Sequence, residues 1–97
     1  MRSIDDIIGQ LRTMQPDLRQ RYRLREMGVF GSYVRGEQRE DSDLDVLVEF
    51  DDGTTLLDYA GLQMELSDAL GLPVELANKK TLKPRIGRSI LAEVRTL

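Results

Sequence analysis

The chain has 97 residues, enough for one domain; its 40% apolar share allows a modest core, and its 32% charged share must cover most of the surface. Lys and Arg number 14 against 17 Asp and Glu, a net charge of −3, which argues against general affinity for nucleic acid, since phosphate binding needs a basic footprint. With no Cys and no His, disulfides, thiolate chemistry and the commonest general base are excluded, and any catalysis rests on carboxylates, hydroxyls, backbone amides, Lys and Arg.

Ser3 followed by Asp6 reads as a capping box, and Ile4, Ile7, Ile8, Leu11 and Met14 then repeat at helical spacing. Pro16 is expected to break or restart this first helix, with a further turn or two over Leu18 to Tyr22. Leu24 to Phe30 alternates as a strand should, and Gly28 inside it signals another backbone or a ligand passing close by. A short helix is expected from Ser32 to Gly36, capped by Ser32, and then a polar loop over residues 37–42.

Leu44, Val46, Leu47, Val48 and Phe50 form a second strand interrupted by Asp45, and Asp51-Asp52-Gly53 turns the chain out of it. Thr55 and Asp58 cap a helix striped by Leu62, Leu66, Ala69 and Leu70 and ended by Gly71. Pro73 to Ala77 is a third strand, with Val74 and Leu76 on one face and Glu75 on the other. Lys79, Lys80 and Pro84 mark a loop, after which Ile86, Ile90, Leu91 and Val94 stripe a last helix. The order implies an α/β chain with about three strands, in one compact unit over residues 1–97. No signal peptide or bilayer-spanning apolar run is visible, so a cytoplasmic protein without membrane contact is expected. Arg19, Arg21, Arg23 and Arg25 read as a solvated cluster.

The chemistry lies between Gly31 and Val46. Asp43 and Asp45 sit two apart at a strand, so their carboxylates share a face while Leu44, Val46 and Val48 turn to the core. Two such like charges repel, and burial raises the pKa of at least one unless a cation neutralises them. A hard divalent ion with oxygen ligands answers this, magnesium commonly taking one or two carboxylates plus substrate phosphates. Asp-x-Asp alone is more often a solvated strand edge. Gly31-Ser32 ahead of it sharpens the reading, because a bare backbone and a hydroxyl can cradle an anion.

The string Gly31-Ser32, ten further residues, then Asp43-Leu44-Asp45 resembles the signature of the DNA polymerase β-like nucleotidyltransferases. More closely, residues 29–36 and 42–48 resemble the minimal nucleotidyltransferase (MNT) proteins, and the likeness extends through Leu70 to Leu76 and Leu82-Lys83-Pro84. The resemblance implies a small mixed sheet of three to four strands flanked by about four helices. It implies that Gly31 and Ser32 hold a triphosphate, that Asp43 and Asp45 bind magnesium, two ions in all, and that Glu75 stands at the third carboxylate. There the chain departs from the family, which usually has Asp. Arg35 belongs to the family string and is assigned to the nucleotide, against the plain reading of an exposed Arg on a short helix. Ser42 is expected to cap the turn into the strand, and Tyr33 to pack at the pocket rim. Lys79 and Lys80 read as a solvated turn before they read as triphosphate contacts.

The implied activity is transfer of AMP from ATP to a tyrosine hydroxyl of a HEPN-domain ribonuclease toxin. The chain would then be the antitoxin of that pair, with a possible hetero-oligomer between the two and no DNA involved. A non-catalytic antitoxin that silences its partner by contact is the alternative.

Overall fold

A computed structural model describes residues 3–97. Helix α1 (Ile4–Tyr22) starts where Ser3 Oγ accepts a hydrogen bond from the Asp6 N–H, the forward half of the expected box. It runs unbroken through Pro16, against the sequence expectation. The missing N–H costs one intrahelical bond, but Leu11 and Leu18 on either side are fully buried, and Arg12 and Pro16 face solvent. Burial of the flanking turns outweighs the local preference.

Strand β1 (Leu24–Phe30) lies antiparallel to β2 (Leu44–Phe50), with Val29 opposite Val46 and Phe30 opposite Asp45. Helix α3 (Leu56–Leu70) is capped by a complete Thr55/Asp58 box and closed by Gly71 at φ 68°. It supplies the crossover that a parallel pair needs, and β3 (Val74–Asn78) accordingly runs parallel to β2, with Asp45 in register with Glu75. A fourth strand, β4 (Arg95–Thr96), pairs antiparallel with β1 at Gly28 and Val29, giving the sheet order β3-β2-β1-β4.

Alternation along the strands separates two faces. Met27, Val29, Leu44, Val46, Val48, Val74 and Leu76 are buried beneath α1 and α3, whose Ile7, Leu11, Leu18, Leu62, Leu66 and Leu70 complete an aliphatic core. Asp45, Glu49 and Glu75 leave the opposite face of the same strands. Gly28 behaves as its position in a strand implies: a Cβ there would lie 2.7 Å from Val94 Cγ2 and 3.1 Å from the Arg95 carbonyl oxygen, so glycine lets the last strand close onto the sheet.

Helix α4 (Pro84–Glu93) corrects two expectations. Pro84 is its first residue rather than part of a loop, a first-turn position whose N–H has no intrahelical partner to lose. Its apolar residues do not enter the core: only Gly87 is buried, Ile86 and Leu91 are 55% and 49% exposed, and Val94 lies beyond the helix. The four-residue helix α2 (Ser32–Arg35) is capped by Gly31, not Ser32, and Tyr33 is buried in the core rather than set at a pocket rim. Among the described residues no helix is long and apolar enough to cross a membrane.

Candidate active site

Gly31 joins β1 to α2 at φ 82° and ψ −156°, a conformation open in practice only to glycine. Space imposes the same choice, since a Cβ there would come within 2.1 Å of Asp45 Oδ2. The Gly31 carbonyl accepts from the N–H groups of Val34 (3.0 Å) and Arg35 (3.1 Å), which sets the first turn of α2. Ser32 is half-buried on that turn, and Ser42 closes the following loop by accepting from the Arg39 N–H at 2.8 Å, as its turn-capping role requires.

Of the three candidate carboxylates, Asp45 lies against this turn and lines the cleft beside it, while Asp43 and Glu75 flank Asp45 in chain and in register. Asp43 is exposed, one residue ahead of β2; Asp45 is half-buried within it; Glu75 is exposed at the register position beside Asp45 on β3. Burial pushes the Asp45 carboxyl above its ordinary pKa, and the charges of Glu75 and Asp43 push it further, with Arg35 opposing them. Among the described residues, no three carboxylates converge closely enough to hold an ion as they stand. Their chemistry nevertheless suits one: an all-oxygen set of mutually repelling acids, with open space beside it, matches a magnesium ion that takes the rest of its shell from phosphate oxygens.

That space is a cleft of about 500 Å³ bounded by Phe30, Gly31, Arg35 and Asp45 on one side and α4 on the other. Its size suits a small-molecule ligand. The model of the nucleotidyltransferase domain family matches residues 11–97. The chain belongs to the nucleotidyltransferase family. It is 45% identical over 94 residues to the protein adenylyltransferase MntA of Thermococcus cleftensis, covering 97% of this chain and 95% of that one. The solved structure of a minimal nucleotidyltransferase superposes with a TM-score of 0.85 at 38% identity, over 99% of this chain and 97% of the other. The fold also matches, at a TM-score of 0.60 and 22% identity, the structure of a tri-AMPylated HEPN toxin of Shewanella oneidensis in complex with MNT antitoxin, covering 95% of this chain and 66% of that one.

This nucleotidyltransferase also places residues at the cleft that sequence reasoning missed. Arg85, Ser89 and Glu93 line it from α4, beside Ile86 and Ile90. Glu93 makes the closest contacts: one of its oxygens accepts from the Gly31 N–H at 2.9 Å, and both accept from the Arg35 guanidinium, at 3.0 and 3.1 Å. The available signal was spacing, since positions 85, 89 and 93 form a polar stripe at i, i+4 and i+8 on one helix face. Lys79 and Lys80 serve elsewhere. Lys79 pairs with Glu26 at 2.8 Å, and Lys80 donates to the Phe50 carbonyl at 3.0 Å, so the turn reading of both holds.

Proposed function

We propose that this nucleotidyltransferase is a cytoplasmic protein adenylyltransferase that moves AMP from ATP to a tyrosine hydroxyl of a HEPN-type partner and thereby acts as its antitoxin. The observation that carries this reading is the juxtaposition of Gly31 with Asp45. A backbone that admits no side chain lies directly against a half-buried carboxylate whose register neighbour is also acidic. That arrangement weakens the fold locally and is intelligible where a polyphosphate and its cation are to be received. The near-full-length likeness to a protein adenylyltransferase supports a protein acceptor.

Gly31 and Ser32 would hold the triphosphate with Arg35 beside them, and Asp43, Asp45 and Glu75 would hold magnesium, two ions as the family resemblance implies. Bound there, the metal would supply charge neutralisation at the phosphates and a lowered pKa for the acceptor hydroxyl. The acceptor oxygen forms a bond to the α-phosphorus, the bond from that phosphorus to the bridging oxygen breaks, and pyrophosphate leaves. The acceptor's proton passes to Glu75, whose extra methylene relative to Asp extends its reach from β3.

The test is incubation with ATP, magnesium and the HEPN-type partner, read by intact mass. The partner should gain AMP-sized increments, and the Asp43→Asn/Asp45→Asn protein should add none while still melting cooperatively. A partner mass that never rises would sink the assignment. The contact-only alternative draws on one observation, that no three described carboxylates already converge on an ion position. It requires the doubly substituted protein to silence its partner as well as the native chain does.

A further inference from the structure

Glu93 occupies an unexpected place. Its carboxylate takes the Gly31 N–H and two contacts from Arg35, so the anion-binding groups of the cleft already hold an anion. A carboxylate and a phosphate are alike here: both are pure acceptors with several oxygens, and both suit a guanidinium and a backbone N–H. The helix does not account for the residue. Glu93 is the last residue of α4, where the helix dipole disfavours negative charge, and no basic residue lies in that last turn to offset it. The cleft does not account for it either, since Glu93 brings a second carboxylate into a lining that already holds Asp45.

The backbone around Glu93 is fixed. Immediately after it, β4 pairs with Gly28 and Val29, and the Leu97 N–H donates to the Met27 carbonyl at 3.0 Å. The carboxylate is therefore delivered to Gly31 by the sheet, and only its side chain needs to turn for the cradle to open. The side chain is 27% exposed, so it has room to turn outward.

We propose that Glu93 is a built-in phosphate mimic: its carboxylate holds the Gly31–Arg35 cradle shut, and nucleotide binds by displacing it. This inference rests on the reading of the cleft as a nucleotide site and adds how that site is gated. Glu93 is here a competitor. If it instead positioned Arg35 for the nucleotide, its removal would weaken binding, so the two roles predict opposite signs.

The experiment measures dissociation constants for magnesium-ATP, inorganic tripolyphosphate and adenosine on the native protein and on Glu93→Gln. Gln retains size and polarity but loses the charge. Neutralising the competitor should tighten ATP and tripolyphosphate alike, by on the order of tenfold for charge-assisted bonds of this kind, and leave adenosine unchanged. The Gly31 amide resonance of the nucleotide-free native protein should move upfield in Glu93→Gln, and should also shift when ATP is added to the native protein. Native protein that binds ATP, with a variant that binds it equally or more weakly, overturns the mimic and leaves the nucleotide site standing. Failure of both proteins to bind ATP and tripolyphosphate overturns the site and the mimic together. A Gly31 amide that does not move between the two nucleotide-free proteins overturns the mimic alone, and a thermal melt of the variant confirms that both comparisons concern folded protein.

Discussion

Charge is handled differently on the two sides of this sheet. On the helix-covered side the polar groups near the core are matched: Glu65 on α3 accepts from the Arg21 guanidinium and from the Tyr22 hydroxyl on α1, and the Tyr59 hydroxyl donates to the Leu76 carbonyl at 2.6 Å. On the cleft side Asp43, Glu75 and Glu93 all act on Asp45 as like charges, with Arg35 opposing them. Stability alone accounts for the first region. It does not account for the second, where each acid raises the cost of ionising Asp45. The difference separates residues kept for folding from residues kept for what the cleft receives.

The largest expected effect falls on the unmatched side. Replacing Asp43 and Asp45 by Asn should lower AMP transfer by at least about 10³-fold, since metal-assisted charge stabilisation is worth several kcal/mol. The melting temperature of the nucleotide-free protein should hold or rise, because two repelling charges have gone. A fall in melting temperature that tracked the lost activity would erase the contrast between the two regions. Next comes the packed side. Leu66→Ala, at a fully buried position, should cost about 2–5 kcal/mol in chemical denaturation while the protein still folded transfers at the native rate.

Gly31→Ala tests the border between the two. Its backbone strain is worth about 1–3 kcal/mol, and the added Cβ must displace Asp45, so transfer should fall further than stability does. Gly36→Ala provides the control: φ is 72° there as well, but nothing lies within 4 Å of the Cβ position. It should cost about 1–2 kcal/mol, the ordinary penalty of the left-handed region, and leave transfer intact. Equal losses of transfer in the two variants would mean that strain, not the contact with Asp45, makes glycine necessary at position 31.

Much of the fold was legible because local signals agreed with tertiary packing. Thr55, Asp58 and Gly71 bound α3 as read, and the alternation around Asp45 assigned its two faces correctly. The misread places are those where tertiary structure overrode a local rule. Pro16 sits between two buried turns, and Ile86 and Ile90 of α4 line a cleft that does not exist until the chain has folded. The site residues divide in the same way. The shared face of Asp43 and Asp45 is something periodicity can express, Gly31 was marked by its place after a strand, and Glu75 was reached through the family resemblance. Glu93 is 62 residues from the amide it contacts, and only the pairing of β4 with β1 brings them together.

The smallest effect sharpens the contrast through pH. The Arg21 contact, with a hydrogen bond from Tyr22, holds the Glu65 carboxyl below its ordinary pKa. A carboxylate with a depressed folded-state pKa binds protons more readily unfolded. Its stabilising contribution is therefore present above the unfolded pKa and is lost as pH falls through the folded one. Glu65→Gln should melt slightly below the native protein at neutral pH, a modest deficit because Arg21 is solvent-screened, and the deficit should vanish under acid. Asp45→Asn should show the opposite sign: its group carries a raised pKa, so charge there destabilises the fold at neutral pH, and the variant should melt above native when nucleotide-free. Two melting curves against pH thus distinguish a carboxylate matched for folding from one left unmatched. If the Glu65→Gln deficit persisted unchanged into acid, Glu65 would be acting through shape rather than charge, and the matched side would owe its order to packing alone.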